Sequence, residues 1–177
     1  MRMNLHTDQV GTEHSRLIVL RGNSGSGKTT TARALRARLG CQLALVEQDY
    51  LRRTVLKAPD TRDGPHYGLI ELTVKYALNA GYDVVLEGIL HRERYLPLLE
   101  RLARDHRGTT AAYYFAVSWQ ETLRRHATRP QATEFGPVDM RGWYCHHDLL
   151  AWPEERLIPE AATLAETTER LLSELYP

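Results

Sequence analysis

The sequence predicts an α/β fold in which helices cover both faces of a five-stranded parallel sheet. Strand-like and helix-like segments alternate along the chain, which is the pattern of parallel strands joined by crossover helices. A glycine-rich loop joins the first strand to the first helix, and a later short apolar run is closed by an acid and a glycine. These observations place the chain in the three-layer α/β/α class.

Each element follows from local sequence. The first strand is predicted at 16–20 and the first helix at 29–39, where Gly40 suits a C-terminal cap. Ser118 is expected to cap the helix that follows the fourth strand. The remaining elements are strands at 42–47, 82–87, 109–117 and near 156–158, a loop at 56–65, and helices at 67–80, 94–106, 118–128, about 139–151 and about 162–175.

Composition indicates an ordinary globular protein. The chain has 177 residues, which suits one domain, with 42% hydrophobic and 25% charged residues. Its 23 basic and 22 acidic side chains nearly cancel, so charge gives no support for nucleic acid as the main partner.

The ends and the cysteines indicate a cytoplasmic protein with no membrane partner. No apolar run reaches transmembrane length, and residues 1–15 are polar, so we expect a flexible N-terminal extension before a single domain at 16–177. Cys41 and Cys145 lack a CxxC spacing and are expected to be reduced thiols. The run Cys145–Asp148 matches no zinc-ligand spacing.

The loop Gly22–Thr30 matches the pattern G-x-x-x-x-G-K-[ST] between a strand and a helix. Its glycines let the backbone curl so that N–H groups point at a phosphate chain, and the helix N-terminus adds partial positive charge. Lys28 can reach the outer phosphates, and the Thr29 hydroxyl can bind Mg²⁺. An unliganded Gly/Ser-rich turn is disfavoured by this flanking context. The predicted nucleotide-binding residues are Asn23, Ser24, Gly25, Ser26, Gly27, Lys28, Thr29 and Thr30.

Asp49 follows the second predicted strand, at the edge of the sheet where ligands collect. A carboxylate facing the phosphate loop could accept or orient the proton of an acceptor hydroxyl during phosphoryl transfer. It could instead hold Mg²⁺ through water, or cap a helix that begins at Tyr50.

Glu87 ends an apolar strand, as the acid of a Walker B motif does. It could help to position Mg²⁺ or bind the acceptor, and the alternative is a structural carboxylate at a strand end. The run His91–Tyr95 follows and is expected near the acceptor pocket.

Arg124, Arg125 and Arg129 lie on or just beyond the fourth predicted helix. Arg125 and Arg129 are four residues apart and share a helical face, so they could neutralise charge on a transferred phosphoryl group. The following Pro- and Gly-containing stretch predicts a lid at about 129–141. The alternative is a solvated arginine face.

With these positions identified, the chain resembles the small P-loop kinases, a group that includes chloramphenicol phosphotransferase, the zeta toxins, gluconate kinase and adenylylsulfate kinase. The resemblance begins at Arg16 and depends on the phosphate loop, the Asp-x-x-Arg run at 49–52, the pair Glu87-Gly88 and the arginines at 124–129. It implies a parallel sheet in the order 2-3-1-4-5, Mg·ATP as donor, a small hydroxylated acceptor, and Asp49 as the base. A guanine-binding Asn-Lys-x-Asp signature is not present in the sequence.

These observations favour an ATP-dependent phosphotransferase acting on a hydroxyl of a small molecule such as an antibiotic, nucleoside or sugar. The alternatives are a kinase of RNA or DNA 5′-hydroxyls, and a nucleotide-binding module without phosphotransfer. The predicted catalytic residues are Lys28, Asp49, Arg125 and Arg129; the predicted metal-binding residues are Thr29 and Glu87; and the predicted acceptor-binding residues are Tyr50, Arg52, His66, Tyr67, Glu87 and His91.

Overall fold

The computed structural model describes residues 9–128, 133, 135–152 and 155–177. Within these residues, five parallel strands form one sheet in the order β2-β3-β1-β4-β5, which confirms the predicted fold class and strand order. The strands are β1 Arg16–Gly22, β2 Leu43–Glu47, β3 Asp83–Gly88, β4 Thr109–Ala116 and β5 Glu155–Pro159.

Helices cover both faces of this sheet. The α-helices among the described residues are α1 Lys28–Leu39, α2 Pro65–Asn79, α3 Arg92–Asp105, α4 Trp119–His126, α5 Pro137–Trp143 and α6 Leu164–Leu175. A 3₁₀ turn at Gly40–Gln42 and a π-helical turn at Tyr50–Val55 complete the helical segments. None of these helices is long and apolar enough to cross a membrane.

The core consists of two layers because β1 lies in the middle of the sheet and is buried on both faces. Leu17 and Val19 point to the layer that α2 and α3 cover, whereas Ile18 and Leu20 point to the layer that α1 and α6 cover. This packing fixes the carboxyl end of β1, from which the phosphate loop emerges.

Both predicted helix caps are confirmed. Gly40 adopts a φ of 77° after α1, and its N–H donates to the Arg36 carbonyl. The Ser118 hydroxyl accepts from the Glu121 N–H at 3.3 Å at the start of α4.

The helix predicted to run to about residue 151 ends earlier, at Trp143. Tyr144 already has extended backbone angles, with φ −79° and ψ 123°. The chain leaves the helix here because Asn23 of the phosphate loop holds Cys145 and Arg21 of β1 holds Asp148.

The predicted N-terminal extension is packed onto the domain in its described part. Val10 is 4% exposed, and its N–H donates to the Asp105 carbonyl at 2.7 Å. The Ser15 hydroxyl lies 2.9 Å from Nε2 of His106. Residues 10–15 therefore lie against the end of α3 and do not stand apart from the domain, while residues 1–8 lie outside the described residues.

Candidate functional site

The phosphate loop adopts the curled conformation that its glycines allow. Gly22, Gly25 and Gly27 have φ values of 141°, 77° and 107°, a region that side chains other than glycine rarely adopt. A Cβ atom at Gly22 would lie 2.8 Å from the Phe115 carbonyl oxygen, so this position also has no room for a side chain. The loop leads directly into α1, whose N-terminus faces the concave side.

A polar cleft of about 470 Å³ opens over this loop, at the carboxyl ends of β1, β2 and β3. This is the edge of an open α/β sheet where ligands bind. The described residues that line it are Ser24, Gly25, Ser26, Gly27, Lys28, Thr29, Thr30, Arg33, Glu47, Asp49, Glu87, Gly88, Ile89, Arg125 and Thr128. The structure therefore brings Lys28, Thr29, Asp49, Glu87 and Arg125 together in one cleft.

The Lys28 side chain is held inside the phosphate loop. Lys28 is 6% exposed, and its Nζ donates to the Asn23 carbonyl at 2.8 Å and to the Ser26 hydroxyl at 3.1 Å. These partners place the ammonium group among the loop amides, where a phosphate chain would lie.

Thr29 and Glu87 form a hydrogen-bonded pair on the floor of the cleft. The Thr29 hydroxyl donates to Oε1 of Glu87 at 2.8 Å. Burial raises the pKa of Glu87, and the nearby Lys28 ammonium opposes this shift. A hydroxyl and a carboxylate are ligands that Mg²⁺ accepts, and Mg²⁺ in phosphate sites needs only one or two protein ligands. The pair therefore fits the predicted metal site, and no cluster of three or more His, Cys, Asp or Glu side chains suited to a metal occurs in the described part of the chain.

Asp49 lines the same cleft as the phosphate loop residues. Its side chain is 54% exposed and is held by Nη2 of Arg52 at 2.8 Å and by Nε of Arg53 at 3.3 Å. Asp49 itself has helical backbone angles, and its carboxylate makes no capping hydrogen bond to the following turn. The helix-capping interpretation is therefore wrong, and the carboxylate remains available to a ligand in the cleft.

Arg125 bridges three parts of the site. Its Nη1 donates to the Ser26 carbonyl at 3.0 Å, its Nε to Glu121 at 2.6 Å, and its Nη2 to the Glu160 carbonyl at 2.8 Å. Arg124 differs, since its side chain is 71% exposed and pairs with Glu121 away from the cleft. α4 thus presents Arg125 to the phosphate loop and the preceding residue, Arg124, to solvent.

Part of the lid predicted at about 129–141 lies outside the described residues. Arg129 lies outside the described residues, as do 130–132 and 134. The described end of the predicted lid, residues 137–141, belongs to α5.

A second, more apolar pocket of about 290 Å³ adjoins the phosphate cleft and shares Ser26, Gly27, Thr30 and Arg125 with it. It lies between the start of α1, the ends of β4 and β5 and the start of α6. Its other lining residues are Thr31, Phe115, Val117, Ile158, Pro159, Ala162, Thr163, Leu164 and Thr167. The apolar walls and shared rim suit a flat heterocycle attached to a phosphate chain.

Two residues predicted to bind the acceptor, Tyr50 and Arg52, do not line the phosphate cleft. Tyr50 is 56% exposed and lines a neighbouring surface pocket with Leu51 and Thr73 instead of the phosphate cleft. Arg52 Nη2 donates to the Asp49 carboxylate at 2.8 Å, and its Nη1 donates to the Ala58 carbonyl at 3.3 Å. Arg52 therefore holds the Asp49 side chain and does not contact the cleft itself.

His66 and Tyr67 also lie away from the cleft. His66 is fully buried, with Nε2 3.3 Å from the Asp60 carboxylate, and its ring packs against Tyr67 at 4.5 Å. Tyr67 in turn stacks on Tyr95 of α3 at 4.7 Å. Burial lowers the pKa of His66, with Asp60 opposing the shift, so the imidazole is neutral at pH 7. The prediction is corrected because these rings close the core between α2 and α3.

Two further predicted site residues have different partners. His91 is 8% exposed and has Nδ1 3.7 Å from the Asp148 carboxylate, outside the cleft. The Asn23 side chain turns away from the cleft and bonds to the main chain of Cys145. The prediction that Asn23 binds nucleotide as part of the loop therefore concerns its main chain, because its side-chain amide is occupied by Cys145.

Glu47 and Arg33 line the cleft but were missed by sequence reasoning. Arg33 Nη2 lies 3.5 Å from Oε1 of Glu47. The sequence did contain a signal for Glu47, because it ends β2 as Glu87 ends β3, and the two glutamates are partners in the parallel register. Adjacent strands that both end in an acid place two carboxylates side by side at the ligand edge.

Fold and site together define a P-loop nucleotide-binding protein with the fold of the small kinases. A family model described as AAA domain matches residues 17–141, and the chain belongs to this family. A comparison with curated proteins finds no match to this sequence.

Solved structures of small kinases have the same fold. A gluconokinase from Sinorhizobium meliloti is 21% identical, with a TM-score of 0.62 over 93% of each chain. A sugar kinase from Janibacter is 17% identical, with a TM-score of 0.69 over 92% of this chain and 96% of that one. The APS kinase of Mycobacterium tuberculosis is 14% identical, with a TM-score of 0.70 over 96% of this chain and 99% of that one.

Proposed function

We propose that the protein is an ATP-dependent phosphotransferase that moves the γ-phosphoryl group to a hydroxyl of a small molecule. The observation that carries this proposal is the convergence of Lys28, the Thr29–Glu87 pair, Asp49 and Arg125 on one cleft. A nucleotide-binding module without phosphotransfer needs Lys28 and the Thr29–Glu87 pair, but the Asp49 carboxylate in the same cleft would have no role in it.

The phosphate loop forms the donor half of the proposed site. The loop amides and Lys28 would hold the triphosphate, and the adjoining apolar pocket would hold the base of ATP. Thr29 and Glu87 would hold Mg²⁺, which neutralises charge on the β- and γ-phosphates during transfer. Arg125 is tied to the loop through Ser26 and would stabilise charge on the phosphoryl group and the leaving phosphate.

Asp49 forms the acceptor half. Its carboxylate would take the proton of the acceptor hydroxyl while the oxygen forms a bond to the γ-phosphorus. The bond from that phosphorus to the bridging oxygen breaks, and ADP leaves with the electron pair. Arg52 and Arg53 keep the Asp49 carboxylate in place. Because general acid–base catalysis contributes about 10²–10⁴ in rate, Asp49 would act mainly on turnover.

Structural relatives named as gluconokinase, sugar kinase and APS kinase support a small acceptor. The cleft supports the same conclusion, since its volume of about 470 Å³ suits a triphosphate tail and a small polar molecule. Nucleosides, sugars and antibiotics are therefore the acceptor classes to test first.

The test is an ADP-release screen with Mg·ATP against these acceptor classes, followed by mass spectrometry of the product. We expect one class to gain a phosphate in the presence of wild-type protein and not of Lys28→Ala. If ATP binds tightly and no acceptor is phosphorylated, the non-catalytic module is favoured instead. If only nucleic acid 5′-hydroxyls are phosphorylated, with activity falling steeply with salt, the protein is an end-processing kinase.

A further inference from the structure

The segment Tyr144–Ala151, here called the strap, connects α5 to the strand β5 region and crosses the carboxyl end of β1. It is not helical, and two of its residues, His147 and Ala151, have φ values of 48° and 62°. Left-handed backbone at residues other than glycine persists only where surrounding contacts hold it. The strap is therefore kept in this conformation by its neighbours.

Asn23 is one of these neighbours, and it clamps the strap from inside the phosphate loop. Its Nδ2 donates to the Cys145 carbonyl at 2.6 Å, and its Oδ1 accepts from the Cys145 N–H at 2.9 Å. The side chain thus satisfies both main-chain groups of one residue, as a neighbouring strand would. Asn23 is 3% exposed, so an unpaired amide here would be costly.

The main chain of Asn23 has a second function in the phosphate loop. Its carbonyl accepts the hydrogen bond from Lys28 Nζ at 2.8 Å. One residue therefore holds both the ammonium group that would contact the triphosphate and the strap. A change in the hydrogen bonding of Lys28 acts on the same short stretch of backbone that carries the clamp.

A buried ion cluster fixes the middle of the strap to β1. Arg21 is fully buried, and its Nη2 donates to the Asp148 carboxylate at 2.6 Å. The same carboxylate accepts from the Arg92 N–H at 2.8 Å, at the start of α3. Arg21 also donates to the Leu90 carbonyl at 3.0 Å, in the loop that follows Glu87. The strap is thus anchored near both the phosphate loop and the loop of the proposed metal ligand.

We propose that Asn23 is a positioning residue that couples occupancy of the phosphate loop to the strap. When a triphosphate replaces the Asn23 carbonyl as a partner of Lys28, the loop amides donate to the phosphates and hold the backbone that carries the Asn23 side chain, so the clamp on Cys145 opens less often. The strap then becomes more protected when nucleotide is bound. This inference rests on the nucleotide binding of the proposed function and requires no acceptor.

The test is hydrogen–deuterium exchange of the strap amides with and without Mg·ATP, on wild-type protein and on two variants. Asn23→Ala removes the clamp, and Asn23→Asp keeps the acceptor for the Cys145 N–H but loses the donor to its carbonyl. Tyr114→Phe is the matched control, because its hydroxyl also bonds to Cys145 and Asp148, at 3.4 and 3.3 Å, without belonging to the phosphate loop. Calorimetry with Mg·ATP and thermal melting verify binding and folding of each protein.

In wild type and Tyr114→Phe, we expect nucleotide to slow exchange at residues 145–148 by about five-fold, the factor for a stabilisation of the strap as large as that of one net hydrogen bond. In Asn23→Ala the nucleotide-dependent slowing should disappear, and in Asn23→Asp it should be reduced, each measured at the Mg·ATP concentration that saturates that variant in calorimetry. Slowing of wild-type size in a folded Asn23→Ala variant would overturn the inference, as would nucleotide binding to wild type with no change in the strap. Absence of Mg·ATP binding to wild type would instead refute the proposed function, and the inference with it.

Discussion

Replacement of Arg125 distinguishes a catalytic arginine from one that only supports the fold. The guanidinium group donates to two main-chain carbonyls, those of Ser26 and Glu160, and to the carboxylate of Glu121. Its side chain is 26% exposed, so loss of the two main-chain bonds should cost about 1 to 2 kcal/mol of unfolding free energy. We therefore expect Arg125→Ala to fold and to melt several degrees lower than wild type.

The expected loss of activity is much larger than this loss of stability. Removing one preorganised donor to a transition-state charge costs about 10²–10³ in kcat, and arginines acting on a transferred phosphoryl group contribute at least as much. Arg125→Lys should recover only part of the rate, since an ammonium group lacks the planar guanidinium fork whose three nitrogens reach Ser26, Glu121 and Glu160. The assay is ADP release at saturating ATP with the acceptor identified by the screen.

Arg124→Ala is the matched control for this experiment. Arg124 lies on the same helix and pairs with the same Glu121, but its side chain is 71% exposed and points away from the cleft. We expect its kcat to stay within about two-fold of wild type, as for most exposed substitutions. An Arg125→Ala variant with near wild-type kcat, or an equal fall in Arg124→Ala, would refute the reasoning.

Three further predictions concern the base, the phosphate loop and a buried histidine. Asp49→Asn should lower kcat by about 10²–10⁴ while the Kd for Mg·ATP, measured by calorimetry, stays unchanged; unchanged kcat would remove Asp49 from the role of base. Gly22→Ala should lower the melting temperature and weaken Mg·ATP binding, because its Cβ would meet the Phe115 carbonyl at 2.8 Å; a variant with wild-type melting and affinity would contradict this. Burial lowers the pKa of His66 from 6.5 in the folded state. Below pH 6.5 the unfolded chain therefore binds a proton at this position more readily than the folded chain does, and the free energy of unfolding should fall as the pH drops. His66→Gln should show a smaller fall in urea titrations between pH 7 and pH 5. His106, whose pKa burial also lowers, should contribute to the fall that remains; an identical pH dependence would exclude His66 as a source.

The sequence was sufficient for those parts of the site that depend on main-chain geometry. The phosphate loop is specified by glycines whose positive φ values only that residue adopts readily, and Lys28 and Thr29 follow at fixed positions. Asp49 and Glu87 could be located because parallel strands end at one edge of the sheet. Each of these inferences uses neighbouring residues or a general property of the fold.

The side-chain partners of more distant elements could not be predicted in this way. Asn23 belongs to the loop pattern, but its amide bonds to Cys145, which is 122 residues further along the chain. His91 follows β3 as expected, and its partner Asp148 comes from the strap. His66 and Tyr67 were expected in the acceptor pocket, whereas both pack against Tyr95 of α3, which leaves His66 buried and Tyr67 half-buried. Such contacts depend on how the helices dock, which local patterns do not determine.

The most direct test of the central claim is the fate of the γ-phosphate in the wild-type protein. ATP labelled with ¹⁸O in the γ-phosphate is incubated with Mg²⁺, wild-type protein and the acceptor panel, and the products are weighed by mass spectrometry, with Lys28→Ala in parallel. We expect the intact labelled phosphoryl group on one small hydroxylated acceptor in the wild-type reaction and none in the Lys28→Ala reaction. Labelled inorganic phosphate as the sole product across the panel, or equal transfer by Lys28→Ala, would contradict the assignment of this cleft as a kinase site.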